Sequence, residues 1–515
     1  MSRHRSAPLP ALFLALAAGL AQAASLAVPG SGAALWWLQI LSLAVLYGLL
    51  DRSAGAASAA GRAIVFATAW LAATFWWLFI SMHTYGGLSA PLAVLAVLGL
   101  AAFLGLDYAL LGAAWRRFAP RNGIGRALLF AACWLLAELL RGTLYTGFPW
   151  GAGGYAHVDG PLAGYAPWLG VYGIGFLAAF AASALAQLVR GRFAALPVAG
   201  IVLAAGAWGH LPALATRDAG SSGEFSVALL QGNIPQDEKF QPGTGVPVAL
   251  QWYGERLRDA KASLVVAPET AIPLLPQQLP AGYWDGLLRR YTADVSGYGL
   301  QAAIIGLPLG SSSLGYTNSV VGLKPQADAV YRYDKHHLVP FGEFIPPGFR
   351  WFTEMMNIPL GDFNRGPVGA ASFAWGRQRL APNICYEDLF GEELAARFAD
   401  AHGAPTAFVN VSNIGWFGTG VAIDQHLHIS RMRALEFARP MIRATNTGAT
   451  AVIDHHGAVV HSLPRATRAV LEGTVEGRTG TTPFAAWASR FGLAPLWGLG
   501  IVVLAVAVVR RRAAR

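Results

Sequence analysis

Eight apolar runs, each long enough to cross or nearly cross a bilayer's hydrocarbon core, constrain this chain more than anything else in it. They cover residues 8–28, 34–50, 63–83, 89–115, 127–143, 167–189, 194–214 and 491–509. A helix satisfies its backbone polar groups internally, so runs of this kind are suited to lipid. Composition agrees: 54% of the residues are hydrophobic and 13% charged, where a soluble domain averages about 25% charged. The expectation is a multi-pass α-helical membrane domain of about eight spans, seven before a long polar region and one after it.

The net charge of +10 invites nucleic acid as a partner until it is divided along the chain. Residues 218–480 hold 21 Lys and Arg against 24 Asp and Glu, a net −3, which leaves +13 for the remainder. The basic residues of the apolar part cluster in alternate connections: Arg3 and Arg5; Arg52 and Arg62; Arg116, Arg117, Arg121 and Arg126; Arg190 and Arg192; Arg510, Arg511, Arg512 and Arg515. By the positive-inside rule both termini are then cytoplasmic and residues 218–480 lie outside. No nucleic acid partner is expected. Met1–Ala24 has some features of a signal peptide, but its apolar run continues past the Ala-Gln-Ala-Ala sequence that would be cleaved. Within the spans, Asp107 and the Glu138/Arg141 pair are costly unless paired; a structural role is expected for them, with a headgroup contact near the outer surface as the alternative for Arg141.

The predicted organisation is a seven-span domain over 1–217, an extracytoplasmic domain over 218–480, and a final span with a basic tail over 481–515. In the middle region, β-rich runs at 226–230, 264–267, 302–307, 319–323, 380–385, 407–411, 450–453 and 470–475 alternate with helix-like stretches. The helical stretches are 247–262, 284–298, 392–402 and 425–436. Such alternation predicts one α/β domain.

Only two cysteines occur. Cys133 sits in an apolar span, while Cys385 ends the strand-like Leu380-Ala381-Pro382-Asn383-Ile384-Cys385 and is followed by Tyr386-Glu387. A lone thiol is more often a buried small hydrophobe than a nucleophile. Glu269, in Pro268-Glu269-Thr270, reads equally well as a helix cap, and Lys335, in Tyr333-Asp334-Lys335-His336, as a surface charge. Together they supply a base, a cation and a nucleophile. Lysine is scarce, at Lys239, Lys261, Lys324 and Lys335 only, which hints that a compact point charge is wanted where it is kept. The histidines at 336–337, 426/428 and 455–456 lack a convincing metal-ligand spacing, so neither metal nor cofactor is expected.

The three segments resemble, in order and approximate spacing, the Glu-Lys-Cys triad of the nitrilase (carbon–nitrogen hydrolase) superfamily. With the flanking spans, the chain resembles bacterial apolipoprotein N-acyltransferases along almost its full length. The likeness includes Thr146-Gly147-Phe148-Pro149-Trp150, Gln231-Gly232-Asn233-Ile234-Pro235-Gln236, Pro340-Phe341-Gly342-Glu343-Phe344, Asn410-Val411-Ser412-Asn413 and Trp416-Phe417-Gly418. The resemblance implies an α-β-β-α sandwich for the exported domain, held on the periplasmic side of the inner membrane. It also implies Cys385 as nucleophile, Glu269 as general base and acid, and Lys335 with the Tyr386 N–H as oxyanion donors. Glu343 corresponds to the family's additional glutamate and is assigned to supporting Lys335 and Glu269, while Tyr386 and Glu387 would shape the acyl-pocket entrance. Phe240 stands where the family often has Trp, which leaves its aromatic lid role open, and Trp416 falls in a family-like stretch. Ile414-Gly415 replaces a frequent Asp-Ala pair, so no role for that acid carries over.

The implied reaction moves an acyl chain from a phospholipid donor to Cys385 and then to the α-amino group of a diacylated apolipoprotein. Two other readings stand beside it: a membrane-anchored amidase that resolves the acyl-enzyme with water, and a transporter or receptor whose exported domain binds ligand.

Overall fold

The structure, a computed structural model, describes residues 9–208, 210–216, 219–293, 301–327, 329–353 and 362–513. The chain divides into two compact units, one of Met1–Phe79, Ser89–Ala215 and Phe491–Arg515, the other of Ile80–Leu88 and Thr216–Arg490.

The first unit is helical. Among the described residues six of its helices are long and apolar enough to cross a membrane: Leu9–Leu26, Ala56–Phe75, Ala90–Phe118, Gly123–Thr146, Pro161–Arg190 and Ala494–Ala513. Two of the eight expected spans are represented by shorter apolar helices, Trp36–Asp51 and Leu196–Ala207. The run expected at 63–83 ends early, because its helix stops at Phe75 and Ile80–Leu88 belongs to the second unit. Arg141 is buried, as the structural role expected for it requires, and not placed for a headgroup contact. Its guanidinium donates to the carbonyls of Phe148 at 2.6 Å and Trp150 at 2.8 Å and to the Tyr108 hydroxyl at 3.1 Å. That grip explains the Thr146–Trp150 stretch as a turn that meets an otherwise costly buried charge.

Among the described residues the second unit is built on twelve strands: β1 Ser221–Gln231, β2 Leu264–Ala267, β3 Ala302–Ser311, β4 Gly315–Leu323, β5 Tyr331–Asp334, β6 Phe373–Trp375, β7 Gln378–Ile384, β8 Ala407–Ser412, β9 Met441–Thr445, β10 Ala451–Ile453, β11 Val459–Ser462 and β12 Ala469–Arg478. They form two six-stranded sheets, ordered β12-β1-β2-β3-β4-β5 and β11-β10-β9-β8-β7-β6. In each sheet three adjacent strands are parallel, β1/β2/β3 and β7/β8/β9, and the outer pairings are antiparallel.

The period of two in side-chain direction explains why these strands read as unbroken apolar runs. Leu264 and Val266 of β2, Ala302 and Ile304 of β3, Leu380 and Ile384 of β7, and Val409 and Val411 of β8 all enter the core between the sheets. Their alternates, Val265, Ala267, Ala303 and Ile305, pack under the helices Gly245–Asp259 and Tyr283–Thr292. On the other sheet, Ala381 and Phe408 pack with Phe437, Phe484 and Ala488 from the helices Val421–Phe437 and Pro483–Phe491. The order of layers is α-β-β-α. The unit runs to Arg490, past the boundary expected at 480, because Phe484 lies edge-on to Phe437 with centroids 5.4 Å apart. Of the expected helix at 284–298, residues 294–298 lie outside the described residues.

Candidate active site

Glu269, Lys335 and Cys385 each follow the C-terminal end of a strand, β2, β5 and β7, where parallel sheets leave a crevice open to ligands. Cys385 begins a 3₁₀ turn, Cys385–Leu389, at φ 54°. A non-glycine residue in the left-handed region is strained and persists only where its surroundings hold it.

Much of that holding comes from Glu387. Its carboxylate accepts the N–H of Ile384 at 2.7 Å, the N–H groups of His336 at 2.7 Å and His337 at 3.2 Å, and the Tyr333 hydroxyl at 2.7 Å. The residue is buried and turned inward, so it braces the Cys385 turn against the loop after Lys335 instead of lining an entrance. Tyr386 is buried as well and packs edge-on to Phe390 at 5.3 Å.

Glu269 is 8% exposed. Its Oε1 accepts from Asn318 Nδ2 at 2.8 Å and lies 3.5 Å from Lys335 Nζ, while Oε2 accepts the Asn413 main-chain N–H at 2.9 Å. Asn318 Nδ2 also donates to Glu343 Oε1 at 2.7 Å, so one amide ties the two carboxylates together. Glu343 in turn receives Lys335 Nζ at 3.0 Å on Oε1 and 2.9 Å on Oε2, and the Val339 N–H at 2.8 Å.

Lys335 is 1% exposed. Burial works against its charge, but the carboxylates of Glu343 and Glu269 overcome it and hold the ammonium above the ordinary lysine range. At Cys385, burial and the Glu269 carboxylate push the thiol up, and Lys335 pulls only partly the other way. The resting site therefore pairs a protonated thiol with a charged lysine.

Behind Cys385, His426 Nε2 lies 3.2 Å from the Cys385 carbonyl and 2.8 Å from Asp388 Oδ1. Its Nδ1 faces an Arg443 nitrogen at 2.6 Å and accepts from it, which leaves the ring neutral with its proton on Nε2. Burial alone would raise Asp388, but His426, Arg443 and Ser430 hold its carboxyl below the usual range.

Phe240 is 44% exposed, with Lys239 Nζ 5.7 Å from its ring centroid. Trp416 lies on the turn Gly415–Phe417, edge-on to Tyr85 at 5.6 Å. The sequence reading did not single out Asn318, Asn413, Asp388, His426 or Arg443 as site residues. Asn413 lies in a family-like stretch, whereas Asn318 carries no local signal. Lys239 had a faint one in the scarcity of lysine: of the four, Lys239 and Lys335 are the two that are buried, and both lie here.

Fold and site together define a carbon–nitrogen hydrolase domain carried in one chain with a set of membrane-length helices. A model of carbon–nitrogen hydrolases matches residues 226–484, and one of the apolipoprotein N-acyltransferase N-terminal domain matches 12–184. A protein of Verminephrobacter eiseniae named apolipoprotein N-acyltransferase is 60% identical, covering 93% of this chain and 92% of its own. Proteins of the same name from Ralstonia nicotianae and Bordetella bronchiseptica are 48% and 42% identical, covering 93% and 96% of this chain and 90% and 96% of their own. The chain belongs to the apolipoprotein N-acyltransferase family.

Proposed function

We propose that this protein transfers an acyl chain from a membrane phospholipid to the α-amino group of a diacylglyceryl-cysteine at the amino terminus of an apolipoprotein. Cys385 is the transient carrier. The observation that carries this reading is the convergence of Glu269 and Lys335 at hydrogen-bonding range, with Cys385 under the electrostatic influence of both.

Because the resting thiol is protonated, Glu269 takes its proton as the sulfur attacks the donor's ester carbonyl. The tetrahedral oxyanion faces the Lys335 ammonium and the Tyr386 N–H, preorganised donors of the kind that supply much of catalysis. Collapse breaks the ester C–O bond, and the departing lysophospholipid alkoxide receives the proton from Glu269. A thioester remains on Cys385. The acceptor amine then attacks it, gives a proton to Glu269, and leaves as the amide while the sulfur regains a proton. Glu343 keeps Lys335 charged and in place throughout. Phe240 and Trp416 offer aromatic surface for the acyl chain.

The membrane frame fits this chemistry. Drawing an acyl chain into water costs about 0.8 kcal/mol per CH₂, so both substrates favour reaction at the bilayer surface. In this reading Trp36–Asp51 and Leu196–Ala207 also lie in the membrane, giving about eight spans over 1–217 and 481–515. The arginine asymmetry puts the α/β domain on the periplasmic side of the inner membrane.

The test is to incubate the reconstituted full chain with vesicles of labelled phospholipid and map the label by mass spectrometry. Label on Cys385, discharged by a diacylated lipopeptide and missing from C385S, is expected. Discharge only as free fatty acid would make the enzyme a hydrolase. An intact protein that takes no label is not this enzyme.

A further inference from the structure

We propose that Lys239 is a positioning residue for acylation, its buried ammonium gripping the main chain of Glu269 and supplying a second positive charge beside the carboxylate and the thiol. The inference rests on the reading above, in which Glu269 is the base and Cys385 the carrier.

Lys239 is fully buried, and its Nζ donates to the Glu269 carbonyl at 3.0 Å. Among the described residues that is the one hydrogen bond its ammonium makes, to a carbonyl and not to a carboxylate. Burying an ammonium on so little compensation is expensive, and an apolar side chain would fill the space at less cost. The position is nonetheless built. Its own N–H donates to the Pro235 carbonyl at 2.9 Å, and Gly245 packs so closely that a Cβ there would lie 2.8 Å from Lys239 Cα.

The carbonyl it holds is at a strained point of the chain. Thr270, the next residue, has φ 47°, so the direction of the Glu269 side chain depends on what anchors its peptide.

Charge counting points the same way. Glu269 and Glu343 set two negative charges against the single positive charge of Lys335. A net negative site opposes both a developing thiolate and an oxyanion, and Lys239 restores the balance. The groups that act on its ammonium from packed elements are Glu269 after β2 and Cys385 after β7, while Asp237 and Glu238 on its own segment are exposed. Burial pulls Lys239 down to about 8, against the opposing influence of Glu269 and Cys385. It is therefore charged at neutral pH and loses its proton on mild alkalinisation.

The experiment measures the rate at which label appears on Cys385 of the reconstituted full chain, across a pH series through about 8, without acceptor. Omitting the acceptor removes the amine's own titration from the profile. Wild type, K239M, K239R and K239Q are compared, with folding checked by thermal unfolding in the same membrane mimetic. If K239M does not fold, K239Q takes its place as the neutral variant.

The expected result is a loss of about 10-fold to 100-fold in K239M, the scale of a misplaced catalytic group. K239R is expected to recover part of the rate and to keep it above pH 8, where the wild type declines, because arginine does not titrate there. A neutral variant with the wild-type rate and pH profile overturns the proposal, as does an arginine variant that declines at the wild-type pH. Wild-type protein that never carries label on Cys385 overturns the catalytic reading and this inference together.

Discussion

The Tyr333 hydroxyl lies 2.7 Å from both carboxylate oxygens of Glu387, which joins the residue two before the lysine to the residue two after the cysteine. Tyr333 is on β5 and Glu387 follows β7, so this hydrogen bond, beside those from the His336 and His337 N–H groups, couples the two sheets at the site. Y333F removes a donor from a buried acceptor that keeps other partners, and about 1 kcal/mol of stability is expected to go. E387Q leaves the N–H groups of Ile384, His336 and His337 facing a poorer acceptor and is expected to cost about 2–3 kcal/mol. A double-mutant cycle by denaturation should return a coupling of about 1 kcal/mol, and additive losses would deny that the bond carries the link.

Gly306 is expected to be intolerant of a single methyl group. A Cβ there would lie 2.3 Å from the Pro268 carbonyl oxygen and 2.8 Å from Glu269 Cα. Both are backbone atoms, so the methyl would displace Glu269 itself. G306A should acylate Cys385 about 100-fold more slowly while binding donor vesicles as the wild type does. A normal acylation rate would mean that Glu269 tolerates displacement.

Arg443 is buried among Asp388, His426, Ser430 and the Ala449 carbonyl. Removing it strands the Asp388 charge, which typically costs about 3–5 kcal/mol. R443M should unfold at markedly lower denaturant than R443K. The residual folded protein should acylate slowly, because the network reaches the Cys385 carbonyl through His426.

Lys239 also makes stability depend on pH, with a definite sign. Below about 8 it is charged in the folded chain and in the unfolded one, so the burial penalty is present in full. Between about 8 and the ordinary lysine value of 10.5 the folded state releases its proton while the unfolded state keeps it, and folding becomes relatively more favourable. K239M is therefore expected to be more stable than wild type at pH 7 by about 3 kcal/mol, and the gap should close by about pH 10. Thermal unfolding at the two pH values checks it. A gap that widens with pH would reverse the sign.

Much of the architecture is legible in the sequence because its signals are local. The apolar runs mark the helices, and the runs at 264–267, 302–307 and 407–411 mark interior strands, since residues covered on both faces read as continuous Val, Ile, Leu and Ala. The reading at residue level left out β5, β6, β9 and β11. These strands are short or carry polar and charged residues: Arg332 pairs with Asp334 on its own strand, and Arg443 with Asp388, 55 residues away. The end of the third run fails for a related reason. Residues 76–83 are apolar enough for lipid, but Ile80–Leu88 packs with the α/β unit, where Tyr85 meets Trp416.

By itself the sequence determined the membrane frame, the alternating α/β region and its charge balance, because hydropathy and periodicity act over a few residues. It also supplied the ordered segments around Glu269, Lys335 and Cys385 that mark the family. Only the tertiary structure decided what surrounds them. It brought Asn318 between two carboxylates, turned Glu387 inward as a brace, put a neutral His426 behind Cys385 and buried Lys239 against the Glu269 main chain. Those relationships join strands and loops of both sheets across 25 to 54 residues of chain, and the Asn413 N–H reaches Glu269 across 144. Burial there strips away water, so each charge is governed by the few groups that folding sets beside it.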